Sequence, residues 1–172
     1  MSSLKLACKE GDLDTIEKLL KAQTPLQIRQ SSSCLRMAMR TGSLAVVALL
    51  LEYGVPQSTD YFNNSPLFYA SVRNSPEMVQ LLLSHGATLD RRNGQGITPL
   101  MAACQYGMLG NVKVLVGNGA DVNEQSCNRG KSPILHAAAR YRTDVVKYLL
   151  TKGADPFLTD KVLSCVVQRL TR

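Results

Sequence analysis

TPLMAACQYGMLGNVKVLVGNGAD, residues Thr98 to Asp121, is the stretch whose reading decides the fold. Pro99 fixes its own φ and lacks an N–H, so it suits the first turn of a helix, with the Thr98 hydroxyl placed to cap it. Met101, Ala102, Ala103 and Cys104 follow, small or flexible enough for close helix packing. Gly107 predicts a left-handed stop. A second helix is predicted from about Leu109, with Val112, Leu115 and Val116 at i, i+3, i+4 spacing, and Gly119 ends it. The unit is helix, tight turn, helix, glycine stop.

Working outward, the unit recurs. Ser65-Pro66-Leu67 restarts it and Gly86-Ala87 closes it; Ser132-Pro133-Ile134 restarts it and Gly153-Ala154-Asp155 closes it. Weaker copies run from Ser3-Leu4 through Gly11, and from Ser33-Cys34-Leu35 through Gly42 to Gly54. The third positions are Leu4, Leu35, Leu67, Leu100 and Ile134, spaced by 31, 32, 33 and 34 residues. A period near 33 with a T-P-L-like start resembles the ankyrin-repeat family along nearly the whole chain. The resemblance implies an all-α solenoid of stacked helix-turn-helix units joined by β-turn or hairpin-like loops. It forms one domain over 1–172, with units of about 2–31, 32–63, 64–96, 97–130 and 131–159. Val162, Leu163, Val166, Val167 and Leu170 in the tail predict a capping helix over about 160–172, or the start of a sixth unit.

Details of each unit carry expectations. Leu4, Leu6, Ala7 and then Leu13, Ile16, Leu19 and Leu20 predict two amphipathic helices of an N-terminal cap. The Thr24–Ser33 connection, with Pro25 and three serines, predicts an irregular turn. Ser75 and Pro76 replace the turn glycine of the third unit and are expected to cap and open its second helix. Tyr141 stands where the turn glycine of the fifth unit would be, and Thr143-Asp144 is expected to cap the helix after it. The family's histidine after T-P-L is missing: Lys5, Arg36, Phe68, Met101 and Leu135 stand there. Apolar packing at the last three is expected instead.

Composition narrows the function classes. The chain has 172 residues and a formal charge of +7, which favours acidic partners. No basic run exceeds Arg91-Arg92, so nucleic-acid binding is not the favoured reading. Cys8, Cys34, Cys104, Cys127 and Cys165 are odd in number and form no C-x-x-C pair. Free thiols and a cytoplasmic protein (nuclear, or in a host cytosol, as variants of that expectation) fit this pattern. No signal peptide or membrane span is read, and the Asn63-Asn64-Ser65 sequon is discounted accordingly. Gly94-x-Gly96 is not a nucleotide fingerprint, because no strand precedes it and the third glycine is missing. His85 is expected beside a helix stop and His136 in packing against the Ala137-Ala138-Ala139 run. Neither belongs to a catalytic or metal-ligand motif, so no enzyme activity, metal or cofactor is expected.

The ankyrin resemblance further implies a protein partner held on the concave side, by loop tips and exposed positions of the first helices. At the tips these are Arg29, Tyr61, Phe62, Asn64, Gln95, Ile97, Arg129 and Lys131. On the first helices they are Arg40, Arg73, Gln105, Tyr106 and Arg140. The set is basic, with Tyr61, Phe62, Ile97 and Tyr106 as apolar anchors. It predicts an acidic or phosphorylated segment as ligand and a chain that is monomeric alone. The alternatives are a substrate-recruiting domain of a larger enzyme and a bacterial effector acting on a host protein.

Overall fold

A computed structural model describes residues 3–127 and 130–158. The helix expected over 160–172, Cys165 and the candidate Arg129 lie outside the described residues. Every regular element among the described residues is an α-helix, as the repeat pattern implied. The chain divides into two compact units at Thr59/Asp60.

The first unit holds α1 (Ser3–Glu10), α2 (Leu13–Lys21), α3 (Pro25–Gln30), α4 (Ser32–Thr41) and α5 (Leu44–Glu52). Helix α1 packs on α2 and α4, and α5 packs on α2 and α4. Leu4, Cys8, Ile16, Leu20, Leu35, Val46, Val47 and Leu50 are buried between them. Leu6 and Leu13 are 46% and 41% exposed, so the buried stripe of the first two helices is narrower than the leucine pattern predicted. Gly11 and Gly42 take left-handed φ of 79° and 80° at the turns inside each helix pair, a conformation that costs other residues about 1 kcal/mol.

The irregular turn predicted over Thr24–Ser33 is instead largely helix α3. Thr24 Oγ1 accepts from the Gln27 backbone N–H at 3.4 Å, and Gln27 Oε1 accepts from the Thr24 N–H at 2.9 Å. This reciprocal capping box, followed by Pro25 in the first turn, outweighs the turn preference of the three serines that follow.

The second unit is two layers. Helices α6 (Pro66–Ser71), α8 (Pro99–Tyr106) and α10 (Pro133–Ala138) lie side by side, and α7 (Pro76–Ser84), α9 (Leu109–Gly117) and α11 (Thr143–Thr151) lie side by side behind them. Ser65 and Thr98 cap α6 and α8 by accepting from the backbone N–H three residues on, at 3.1 and 3.3 Å. Ser132 opens α10 without such a bond. Two expected caps differ from the prediction: Ser75 makes no side-chain cap to α7, where Pro76 takes the first position, and Arg142 rather than Thr143 precedes α11. Tyr141 adopts φ 56° at the turn before α11, the left-handed geometry the missing glycine would supply.

Met101 and Leu135 are fully buried where the family's histidine would stand, and Phe68 is half-buried. Full burial of such a side chain contributes roughly 2 kcal/mol, so apolar packing replaces the absent imidazole. Asn111 supplies a polar tie that the sequence reading missed. It is fully buried in α9, and its Nδ2 donates to the carbonyls of Ala70 and Ser71 at 3.1 and 3.0 Å and to that of Arg73. Those carbonyls lie at the end of α6 and in the turn after it, where the regular helical donors run out and Asn111 adds to the local backbone bonds to Ala70 and Arg73.

Candidate functional site

Three connecting loops precede α6, α8 and α10, and each is closed by one short polar side chain. Asp60 Oδ1 accepts from the backbone N–H of Phe62 at 2.9 Å and of Asn64 at 2.8 Å, and the Asp60 N–H donates to the Asn64 carbonyl at 3.0 Å. In the next loop Asn93 Oδ1 accepts from the N–H of Gln95 and of Ile97, each at 3.0 Å, and the Asn93 N–H donates to the Ile97 carbonyl at 3.0 Å. In the third, Ser126 Oγ accepts from the Lys131 N–H at 3.1 Å and the Ser126 N–H donates to the Lys131 carbonyl at 3.1 Å. Asp60, Asn93 and Ser126 recur at intervals of 33 residues. Each is a type whose side chain satisfies its own turn. That periodic row was the available signal, and the sequence reading passed over it.

Neighbouring loops are bonded to each other. The Gly94 N–H donates to the Phe62 carbonyl at 2.8 Å, Asn63 Nδ2 to the Arg92 carbonyl at 2.9 Å and Asn93 Nδ2 to Asn64 Oδ1 at 3.1 Å. A Cβ on Gly94 would stand 2.9 Å from the Phe62 oxygen, so only glycine leaves this bond undisturbed. On the other side Arg92 donates to the Gln125 carbonyl at 2.8 Å and to Cys127 Sγ at 3.1 Å, and pairs with Glu124.

This framework sets the candidates into classes. Tyr61 and Phe62 stand 95% and 69% exposed at the first tip, their rings edge to face with centroids 5.5 Å apart. Neither packs under the loop. Asn64 is half-buried and spent on the turn: its Nδ2 donates to Asp60 Oδ2 at 3.1 Å while its Oδ1 holds Asn93. Ile97 and Lys131 are half-buried, with backbone groups that close their own loops. Gln95 is exposed at the second tip.

At the other ends of α6, α8 and α10, Arg73, Tyr106 and Arg140 occupy equivalent places and are all exposed, with Gln105 half-buried beside Tyr106. The second unit therefore brings ten candidates onto the loops and ends of one helix layer. Arg29, in α3, and Arg40, in the last turn of α4, are exposed in the first unit. Arg29 thus belongs to a helix rather than to a loop tip.

Tyr69 was missed because it follows Phe68 in an apolar helix. It is exposed, and its hydroxyl donates to Asp60 Oδ2 at 2.5 Å. Burial alone would raise the Asp60 carboxyl, but hydrogen bonds from Tyr69, Asn64 and Phe62 outweigh it and hold the group below its ordinary value. His136, on α10, is half-buried and its Nε2 is buried without a partner. Burial, then the charge of Lys131, pulls its pKa down to about 4. His85 caps α7, with Nδ1 3.0 Å from the Leu81 carbonyl. Cys104 is fully buried, and burial pushes its thiol up, away from the thiolate that a Cys–His pair would use. No helix among the described residues is long and apolar enough to cross a membrane.

A family model for ankyrin repeats in three copies matches residues 4–93 and again 89–160. The chain is 32% identical over 161 residues to the B-cell lymphoma 3 protein homolog of Mus musculus, covering 89% of this chain and 36% of that protein. It is 41% identical over 105 residues to probable E3 ubiquitin-protein ligase XBOS32 of Oryza sativa subsp. japonica, covering 59% of this chain and 21% of that one. The chain thus spans well under half the length of these relatives. Among solved structures it resembles an ankyrin repeat domain from Acinetobacter baumannii AYE at a TM-score of 0.84 and 26% identity, over 97% of this chain and 94% of that one.

Proposed function

The chain belongs to the ankyrin-repeat family, whose repeats generally mediate protein–protein interaction, and from that premise we propose that it is a non-catalytic module binding an acidic or phosphorylated segment of another protein. The observation that carries this reading is that one helix layer presents two exposed rings, Tyr61 and Phe62, on the loop before α6, and exposed Arg73, Tyr106 and Arg140 at the far ends of its helices. Tyr and Arg are enriched at interface hot spots because each offers a large contact area and a polar end. Arg forks carboxylate or phosphate in two parallel hydrogen bonds. Gln95 and Gln105 add neutral donors to the same surface. Ile97, Asn64 and Lys131 support it from within the turns. The odd number of cysteines with no C-x-x-C pair fits free thiols in a reducing compartment such as the cytoplasm.

A second reading has its own observation. The relatives are much longer than the stretch they share with this chain, so the module also fits a recruiting domain working beside other domains of one protein.

The test is affinity capture from a eukaryotic lysate, comparing wild type with a Tyr61→Ala, Phe62→Ala, Arg73→Glu variant whose thermal unfolding matches it. A protein held by wild type and released by the variant is the expected result. A protein held equally by both would move the site to the α7, α9, α11 layer or to the termini.

A further inference from the structure

The turn between α10 and α11 reads Arg140-Tyr141-Arg142, and all three residues are exposed. Tyr141 holds a left-handed φ of 56° while its side chain stands 73% exposed. The equivalent place in the preceding turn is Gly107, at φ 75°. A tyrosine in this conformation is strained where a glycine is not. Burial returns little to the fold, and among the described residues the ring packs on no other ring or cation. Strain kept at an exposed side chain is a mark of sites that hold a ligand.

Arg142 ties this turn to the one before it. Its stem lies over Gly107, where a Cβ would stand 2.7 Å from Arg142 Cδ, and its Nε donates to the Gln105 carbonyl at 3.4 Å. Tyr106, 51% exposed, lies between those two contacts in the chain. The guanidinium is thus set beside Tyr106 and next to Tyr141. Neither Arg140 nor Arg142 pairs with a carboxylate among the described residues. Helices α7, α9 and α11 all begin on this edge, and none has a side-chain cap, so their positive ends add to the arginines. The acids there are Glu77 and Asp144, in the first turns of α7 and α11. Arg73, Arg140 and Arg142 outnumber them.

We propose that this edge is where a phosphorylated side chain of the partner protein is read: Arg140 and Arg142 hold the phosphate, and Tyr141 and Tyr106 pack against the residues beside it. This rests on the reading of the chain as a module for acidic or phosphorylated segments, narrows it to phosphate, and brings in Tyr141 and Arg142. A carboxylate has two oxygens, which one guanidinium fork fills. A phosphate monoester has three free oxygens and nearly two charges, enough for both arginines. Two arginines flanking one exposed ring, with no acid bonded to either, complement phosphate better than carboxylate.

The test uses the full chain and fluorescent pools of short degenerate peptides, centred on phosphoserine, on phosphotyrosine or on glutamate. Wild type should bind a phosphorylated pool several-fold more tightly than the glutamate pool. Arg140→Gln and Tyr141→Gly should each weaken that binding about tenfold, as loss of a hot-spot side chain does. Tyr141→Gly should also unfold at the wild-type temperature or above it, because glycine takes this φ freely. Wild-type affinity in both variants would overturn the proposal, as would equal binding of the glutamate and phosphorylated pools. A lower unfolding temperature in Tyr141→Gly would show that the ring holds the turn, and would remove its assignment to a ligand. Loss of binding in Tyr61→Ala with Phe62→Ala, but not in Tyr141→Gly, would overturn this inference and leave the interaction module standing. If wild type binds no pool, the edge is not a phosphate reader, and capture from lysate still decides the module by itself.

Discussion

His136 carries a ring nitrogen that burial leaves without a partner, and that single atom ties stability to pH. Its folded-state pKa is pulled down to about 4, by burial first and then by Lys131, against about 6.5 for an unhindered histidine. Between those values the unfolded chain binds the proton and the folded chain does not, so stability rises with pH across that window. The contribution is fully present above about pH 6.5, is lost progressively as the pH falls towards 4, and changes no further below it. The size is of order 2 kcal/mol. Denaturant titrations at several pH values should show this slope, and His136→Gln should flatten it. An unchanged slope in His136→Gln would assign it to carboxylates instead. Asp60 acts at lower pH: with its folded pKa depressed, its contribution holds above the ordinary carboxylate range and is lost as acid reaches the folded value.

At the scale of elements, Asn111 holds α9 against the end of α6. Asn111→Ala leaves the buried carbonyls of Ala70, Ser71 and Arg73 without this donor, and the expected loss is about 2 kcal/mol. Asn118→Ala is the control, because that side chain is exposed and bonds Gln80 and Val114 at the surface; its loss should be within about 0.5 kcal/mol. Equal losses would show that Asn111 is not the tie described. These elements also mark how far the sequence could be read. The Pro99 and Gly107 boundaries of α8 were legible, because proline and glycine act on their own backbone. Helix α3 was not, since three serines argued for a turn and only the reciprocal Thr24–Gln27 bonds overrule them. Asn111 was invisible for another reason: the carbonyls it serves are 38 to 41 residues away. Exposure of Tyr61 was readable from its place in a tight loop, whereas Asn64 and Ile97 looked available and are instead engaged in closing turns.

For the whole molecule, the charge of +7 makes salt the discriminating variable. A partner engaged through carboxylate or phosphate should bind several-fold more weakly as ionic strength rises from roughly 0.05 to 0.5 M, since the screening length shrinks to a few ångströms. Isothermal titration with the captured partner would measure this. Affinity insensitive to salt would assign the binding energy to the Tyr61 and Phe62 rings and remove the acidic-segment specificity. The bonds running from Phe62 to Gly94, and from Arg92 to Gln125, then have a mechanical meaning. A displacement of the 60–64 loop strains its bonds to the 92–97 loop, and Arg92 carries that link on to Gln125. A partner that docks on the first two loops, as proposed, would spend little of its binding energy on ordering them, because their mutual bonds form on folding.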